Sequence, residues 1–140
     1  MQDYPVQLLD RLLNTYSPSG QEKEIADFLA EEMERIGFSV SRDEVGNVIG
    51  EAGVGSPSVM LCGHMDTIPG FIPARIDEGM MHGRGAVDAK SSLATMIAAS
   101  KQMIKSRWHG RLLLAAVVDE EGSGTGIRNI IKKGISPDYA

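Results

Sequence analysis

Three short stretches of the sequence combine residue types that can do chemistry: Gly63-His64-Met65-Asp66-Thr67, Gly83-Arg84-Gly85-Ala86-Val87-Asp88-Ala89-Lys90, and Asp119-Glu120-Glu121-Gly122. An imidazole can bind a metal through one ring nitrogen while a nearby acid accepts a hydrogen bond from the other. That contact fixes the tautomer and raises the basicity of the ligand. His64 is therefore a candidate metal ligand and Asp66 its orienting partner. The bland alternative is a strand-end histidine with a local Asp beside it. Asp88 stands at the mouth of a helix, where Asp serves well as an N-cap or offers two oxygens to bridge two cations. Three consecutive acids after a buried strand repel one another and lose hydration. A solvated loop relieves that cost, and so does a divalent cation, which favours the charged forms. Neighbouring residues near a strand end point opposite ways. One glutamate can thus bind metal while the other faces the water. Together these are the parts of a hydrolytic two-metal site. Its metals generate hydroxide near neutral pH and polarise a carbonyl, and a carboxylate moves the water's proton to the leaving amine.

The surrounding elements can bring such groups together. Residues 5–15 place Val6, Leu8, Leu9, Leu12 and Leu13 on one helical face after a proline suited to a helix start. Ser17-Pro18-Ser19-Gly20 reads as a loop with capping chemistry. A second helix fits 21–36, with Ile25, Phe28, Leu29, Met33 and Ile36 on one face and Gly37 as its stop. Residues 38–41 alternate like a half-buried strand, 46–50 reads as a second short strand, and 53–58 as a turn. Val59-Met60-Leu61-Cys62 is a central strand. Residues 75–77 and 80–82 flank Glu78-Gly79 as a hairpin. A helix fits 89–106, a continuous apolar strand 111–118, and a last helix 124–133. Mixed helices and strands argue an α/β sandwich, and sites in such sheets collect at the carboxyl ends of strands. The clusters stand there.

Composition narrows the class. The chain has 140 residues, 42% hydrophobic and 24% charged, with net charge −5, which suits one domain or a piece of one. The balance is too acidic for a nucleic-acid or anionic-membrane partner, which needs clustered Lys and Arg. No apolar stretch approaches the roughly 20 residues needed to cross a bilayer. The one cysteine, Cys62, cannot close an internal disulfide, so a reducing, cytoplasmic setting is expected. Cys62 and the scattered methionines read as core, and His82 and His109 as structural or exposed. Arg84 and Lys90 are either binders of a substrate carboxylate or solvated.

In this order, GHMDT at 63–67, GRGAVDAKSSLA at 83–94 and DEEG at 119–122 resemble the zinc-dependent aminoacylase and acetylornithine deacetylase/succinyl-diaminopimelate desuccinylase family of metallopeptidases. SPSGQE at 17–22 and VGN at 45–47 extend the likeness along nearly the whole chain. The resemblance implies a three-layer α/β sandwich with helices on both faces of a mixed sheet. It implies two divalent metals, zinc or cobalt, with His64 on one, Asp88 bridging both and Glu121 on the second. Glu120 is then the general base and Asp66 orients His64. It also implies a cis peptide bond at Asp88–Ala89. PGFIPARI at 69–76 followed by GRGAVDAK looks most like the members that release lysine or ornithine from the C-terminal glutamate of an amino-group carrier protein. Relatives acting on N-acyl amino acids share these motifs. Family members carry one more acidic ligand, a second histidine and a dimerisation domain farther along. Residues 1–140 are therefore expected to be the N-terminal portion of a catalytic domain from a homodimeric protein, inactive alone and weak in metal binding. The rival readings are a nucleotide-binding domain, on Gly122-Ser123-Gly124-Thr125-Gly126, and a non-catalytic scaffold. The rival glycine loop has acids at its mouth and lacks the Lys-Ser/Thr of a phosphate-binding loop.

Overall fold

The computed structural model describes residues 3–140. In chain order the elements are α1 (Tyr4–Asn14), α2 (Lys23–Ile36), β1 (Ser39–Arg42), β2 (Val48–Val54), β3 (Ser58–His64), β4 (Arg75–Asp77), β5 (Met80–His82), α3 (Lys90–Lys105), β6 (Gly110–Val117) and α4 (Thr125–Lys132). Four strands form one sheet in the order β1-β2-β6-β3, and β4 and β5 form a separate hairpin. β6 runs antiparallel to β2 and parallel to β3. A parallel pair needs a long crossover, and here the hairpin and α3 supply it.

The register of that parallel pair is what positions the site. Cys62 lies opposite Ala115 and His64 opposite Val117. The carboxyl ends of β3 and β6 therefore stop side by side. The histidine ending one strand meets the acidic loop that follows the other.

β6 is buried along nearly its whole length, and its alternation divides the core. Leu112, Leu114, Ala116 and Val118 face the larger cluster with Leu12, Ile25, Leu29, Met33, Leu93 and Ile97 from α1, α2 and α3. Leu113, Ala115 and Val117 face a smaller cluster with Met60 of β3 and Ile130 of α4. Helices thus cover both faces of a mixed sheet, as the resemblance implied. Each fully buried Leu contributes about 1.5–3 kcal/mol relative to exposure. The larger face, with three helices, carries most of that burial.

Two local readings need correction. β2 continues through Ala52 and Gly53 to Val54, paired with Leu112, Arg111 and Gly110, where the sequence suggested a strand ending at 50 and a turn from 53. Glycines here reflect crowding rather than chain reversal. A Cβ on Gly50 would sit 2.6 Å from Met33 Cε and 2.9 Å from the Phe38 ring, and one on Gly53 would sit 2.2 Å from the Gly110 carbonyl oxygen. The second correction concerns Ser17-Pro18-Ser19-Gly20. α2 begins at Lys23 after Glu22, and no side chain caps it. The two serines bond elsewhere, as described below. Gly37 does end α2, in the left-handed region at φ 112°. Among the described residues, no helix is long and apolar enough to cross a membrane.

Candidate metal centre

His64 is the last residue of β3 and is buried. Its Nε2 lies 3.0 Å from Asp88 Oδ1 and 3.7 Å from Glu120 Oε2. His64, Asp88 and Glu121 each offer a ligand atom, and these atoms lie within 4.8 Å of one another. Residues 24 and 57 positions from His64 in sequence thus share one cluster, and it adjoins a cavity of about 490 Å³ lined by Asp88, Glu121, Ile72, Met81, His82 and Arg84. One imidazole and two exposed carboxylates form a donor set that fits a divalent cation.

Asp88 does not cap α3. The N-cap is Ala89, with no side-chain hydrogen bond, and the Asp88 side chain is 72% exposed. The Asp88–Ala89 peptide is cis, as the resemblance implied.

The acidic triplet is divided by a turn rather than by strand alternation. β6 ends at Val117, and Asp119 adopts φ 57°. Its carboxylate swings back to accept hydrogen bonds from the Ser123 hydroxyl at 2.5 Å and the Thr125 hydroxyl at 2.7 Å. These hydroxyls hold Asp119 below the usual carboxylate range. The same bonds take up polar groups of the glycine-rich loop, which counts against its cradling phosphate. Glu120 and Glu121 remain exposed beside His64.

Asp66 is fully buried and does more than the sequence suggested. Its main-chain carbonyl accepts the closer hydrogen bond from His64 Nδ1, at 2.9 Å, while Oδ1 of its carboxylate lies 3.4 Å away. That carboxylate accepts the backbone N–H of Glu120 at 3.0 Å on Oδ1. On Oδ2 it accepts the N–H of Glu121 at 3.1 Å and the Ser19 hydroxyl at 2.6 Å. Burial opposes its ionisation, but His64, Ser19 and the two amides outweigh burial and hold the carboxyl far below the usual range. The Asp66 carboxylate in turn raises the His64 imidazole to about 9, against burial and with help from Asp88 and the Asp66 carbonyl.

Other side chains stand around the site. Asn47 is fully buried. Its Oδ1 accepts the Val118 N–H at 3.0 Å and its Nδ2 donates to the Gly126 carbonyl at 2.9 Å, which fixes both ends of the acidic loop. The Ser17 hydroxyl donates to the Met65 carbonyl at 2.8 Å. Lys90 is neither solvated nor a carboxylate binder. It is 1% exposed, and Nζ donates to the Leu12 and Thr15 carbonyls at the end of α1. Arg84 lines the cavity, with Nε donating to the Gly70 carbonyl at 2.7 Å. His82 lines the same cavity, and His109 is exposed. Cys62 packs against the smaller core, where burial pushes its thiol up. The sequence signals for Ser17 and Ser19 were loop-capping chemistry and a match to the family pattern, and for Asn47 that match alone.

The family profile described as Peptidase family M20/M25/M40 matches residues 60–140, more than half of the chain. The chain belongs to this family. A [LysW]-lysine hydrolase of Deinococcus radiodurans is 52% identical to this M20 chain over 136 residues, 95% of the chain and 37% of that protein. A putative [LysW]-lysine/[LysW]-ornithine hydrolase of Pyrococcus furiosus is 43% identical over 134 residues, 96% of the chain and 39% of that protein. The chain therefore spans less than two fifths of the length of these curated relatives. Among solved structures, a tripeptidase of Staphylococcus aureus superposes with a TM-score of 0.82 at 24% identity, covering 97% of this chain and 41% of that one. Human carnosine dipeptidase 1 superposes with a TM-score of 0.80 at 18% identity, covering 92% and 34%. At these identities the structural likeness speaks for the fold.

Proposed function

We propose that residues 1–140 are the N-terminal portion of the catalytic domain of a two-metal amidohydrolase. It frees lysine or ornithine from an amide bond to the C-terminal glutamate of an amino-group carrier protein, in lysine and arginine biosynthesis. The substrate part of this reading is supported by the [LysW]-lysine and [LysW]-ornithine hydrolase names of relatives at 52% and 43% identity. The chemical part is carried by one observation: donor atoms of His64, Asp88 and Glu121 lie within 4.8 Å of one another, beside Glu120.

In this reading His64 would hold one metal and Glu121 the second, with Asp88 as a ligand common to both. Zinc suits one imidazole plus carboxylates best, with cobalt as the alternative. Cations held there would supply a lowered water pKa and a polarised carbonyl. His64 must be neutral to ligate, and the Nδ1–H···O bond to the Asp66 carbonyl supports the tautomer that leaves the Nε2 lone pair free. Glu120 is the general base. Its carboxylate takes the proton of the attacking water as the carbon–oxygen bond forms. It passes that proton to the leaving nitrogen as the carbon–nitrogen bond breaks. Two four- or five-coordinate metals need more donors than His64, Asp88 and Glu121. The others, with a dimerisation domain that makes a homodimer, come in this reading from outside these 140 residues. The lone cysteine supports a cytoplasmic setting.

The test uses the purified intact gene product loaded with zinc. Free amino acid is measured after incubation with a carrier-protein conjugate bearing lysine on its C-terminal glutamate, with N-acetyl-lysine and with N-acetylornithine. Release from the conjugate supports the proposal. Release from the acetylated amino acids alone moves the substrate to N-acyl amino acids. Release from none of them, with two metals bound, ends it.

A further inference from the structure

Besides His64, three donors from two distant parts of the chain meet on the carboxylate of Asp66. The amides of Glu120 and Glu121 come from the loop after β6, and the hydroxyl of Ser19 comes from the loop between α1 and α2. The carboxylate has no solvent contact, so no water substitutes for a lost donor without structural change. We propose that Ser19 is a positioning residue that aims Glu120 and Glu121 through Asp66. The proposal rests on the reading of Glu120 as base and Glu121 as ligand.

Ser19 is itself held on several sides. The loop that carries it lies beside residues 65–67 as a short parallel bridge between Pro18 and Thr67. The Thr67 N–H donates to the Ser17 carbonyl at 2.9 Å, the Ser19 N–H to the Thr67 carbonyl at 3.3 Å, and the Ser17 hydroxyl to the Met65 carbonyl at 2.8 Å. The hydroxyl of Ser19 thus reaches Asp66 from a backbone already fixed against the strand end. Its target, Oδ2, is the oxygen that also receives the Glu121 amide.

The soft torsion of an aspartate is the one that rotates its carboxylate. Each oxygen of Asp66 holds one glutamate amide, so rotation of the carboxylate displaces both amides together. The short Ser19 bond on Oδ2 is charge-assisted and therefore stronger than a neutral one. It fixes the rotation. Without it, Oδ2 keeps one amide donor, and the Glu120–Glu121 backbone follows whatever orientation the carboxylate adopts. His64 is less affected, because its closer bond is to the Asp66 carbonyl, which does not depend on that rotation.

Ser19 is half-buried and stands next to exposed Gly20. This allows a matched pair in the intact gene product. Ser19→Thr keeps the hydroxyl, and Ser19→Val has the same shape without it. Three quantities are compared: deuterium uptake of the 118–122 segment in the metal-free protein, zinc affinity by titration, and kcat and KM on the substrate that the wild type cleaves. The expectation for Ser19→Val is faster uptake at 118–122, with zinc affinity and kcat each lower by about 10–100-fold and KM unchanged. Ser19→Thr stays close to the wild type on all three. Equal uptake and equal zinc affinity in Ser19→Val and Ser19→Thr overturn the proposal. If the intact protein cleaves no amide at all, the proposed function falls, and the exchange and zinc measurements still decide the role of Ser19.

Discussion

Where β3 and β6 end, two kinds of polar side chain stand within a few residues of each other. Asp88, Glu120 and Glu121 are exposed, and their oxygens gather around His64. Asp66, Asn47, Ser17 and Lys90 are almost wholly buried, and each is tied by hydrogen bonds to backbone or to another side chain. The second set obeys the rule for interiors, since a stranded buried polar group costs about 1–3 kcal/mol. The first set breaks the corresponding rule for surfaces by bringing like charges together, an arrangement that a cation favours. The difference separates two tasks. Buried groups set where the chain runs, and exposed groups are left available for a ligand.

The largest expected effect tests the exposed set. Glu120→Gln in the intact gene product should lower kcat by about 10²–10⁴-fold while zinc content and Tm hold. Loss of zinc together with turnover would make Glu120 a ligand and move the base elsewhere. Next comes the effect of pH on zinc affinity. With His64 raised to about 9, a proton must leave the imidazole before a metal binds. Affinity should rise about tenfold per pH unit below 9 and level off above it. An affinity flat between pH 6 and 8 would remove His64 from the ligand set. The same shift acts on the metal-free fold. The His64 contribution to stability is fully present below its ordinary value of 6.5 and is lost as pH rises through 9.

The buried set should behave in the opposite way. Asn47→Ala strands the Val118 amide, at about 1–3 kcal/mol, and removes the side-chain tie to the Gly126 carbonyl. Thermal unfolding should therefore move to lower temperature even in the absence of metal. A variant that melts like the wild type would show that water replaces Asn47 easily, and the loop would then not depend on it.

These two sets were not equally legible in the sequence. The exposed acids and the histidine could be picked out because their residue types and clustering are unusual at strand ends. The helices followed from apolar periodicity and the strand at 111–118 from a continuous apolar run, both of which burial enforces directly. In sequence Ser17 and Ser19 read as loop capping, and Lys90 as a binder of a substrate carboxylate or a solvated charge, because their partners lie between 47 and 78 positions away in the chain. No local pattern records a hydrogen bond across that distance. Asp66 was half legible. Its place beside His64 follows from spacing, while its hold on the Glu120 and Glu121 amides needed the β3–β6 register. The length of β2 was missed for a similar reason. Gly50 and Gly53 have low strand propensity, and the packing of Met33, Phe38 and Gly110, with a φ of 74° at Gly53, explains why glycines stand in a strand.

The smallest effect concerns Lys90, a member of the buried set. Burial lowers its ammonium to about 8 from 10.5. Its Nζ donates to the Leu12 and Thr15 carbonyls at the C-terminal end of α1, which carries partial negative charge. Because the folded state holds this proton less tightly than the unfolded chain, the unfolded state binds more protons between pH 8 and 10.5. Stability attributable to Lys90 should therefore rise with pH across that window. Lys90→Met has a stem of similar length and no titrating group. The gap in unfolding free energy between wild type and Lys90→Met should widen from pH 8 to 10.5 and stay constant below 8. The His64 loss between 6.5 and 9 is common to both proteins and cancels in the difference. A gap that stays level through pH 10 would mean that the ammonium keeps enough solvation or carbonyl contact to titrate as it does in water. Lys90 would then count as a buried stem with a hydrated head rather than as a desolvated strut between α1 and α3.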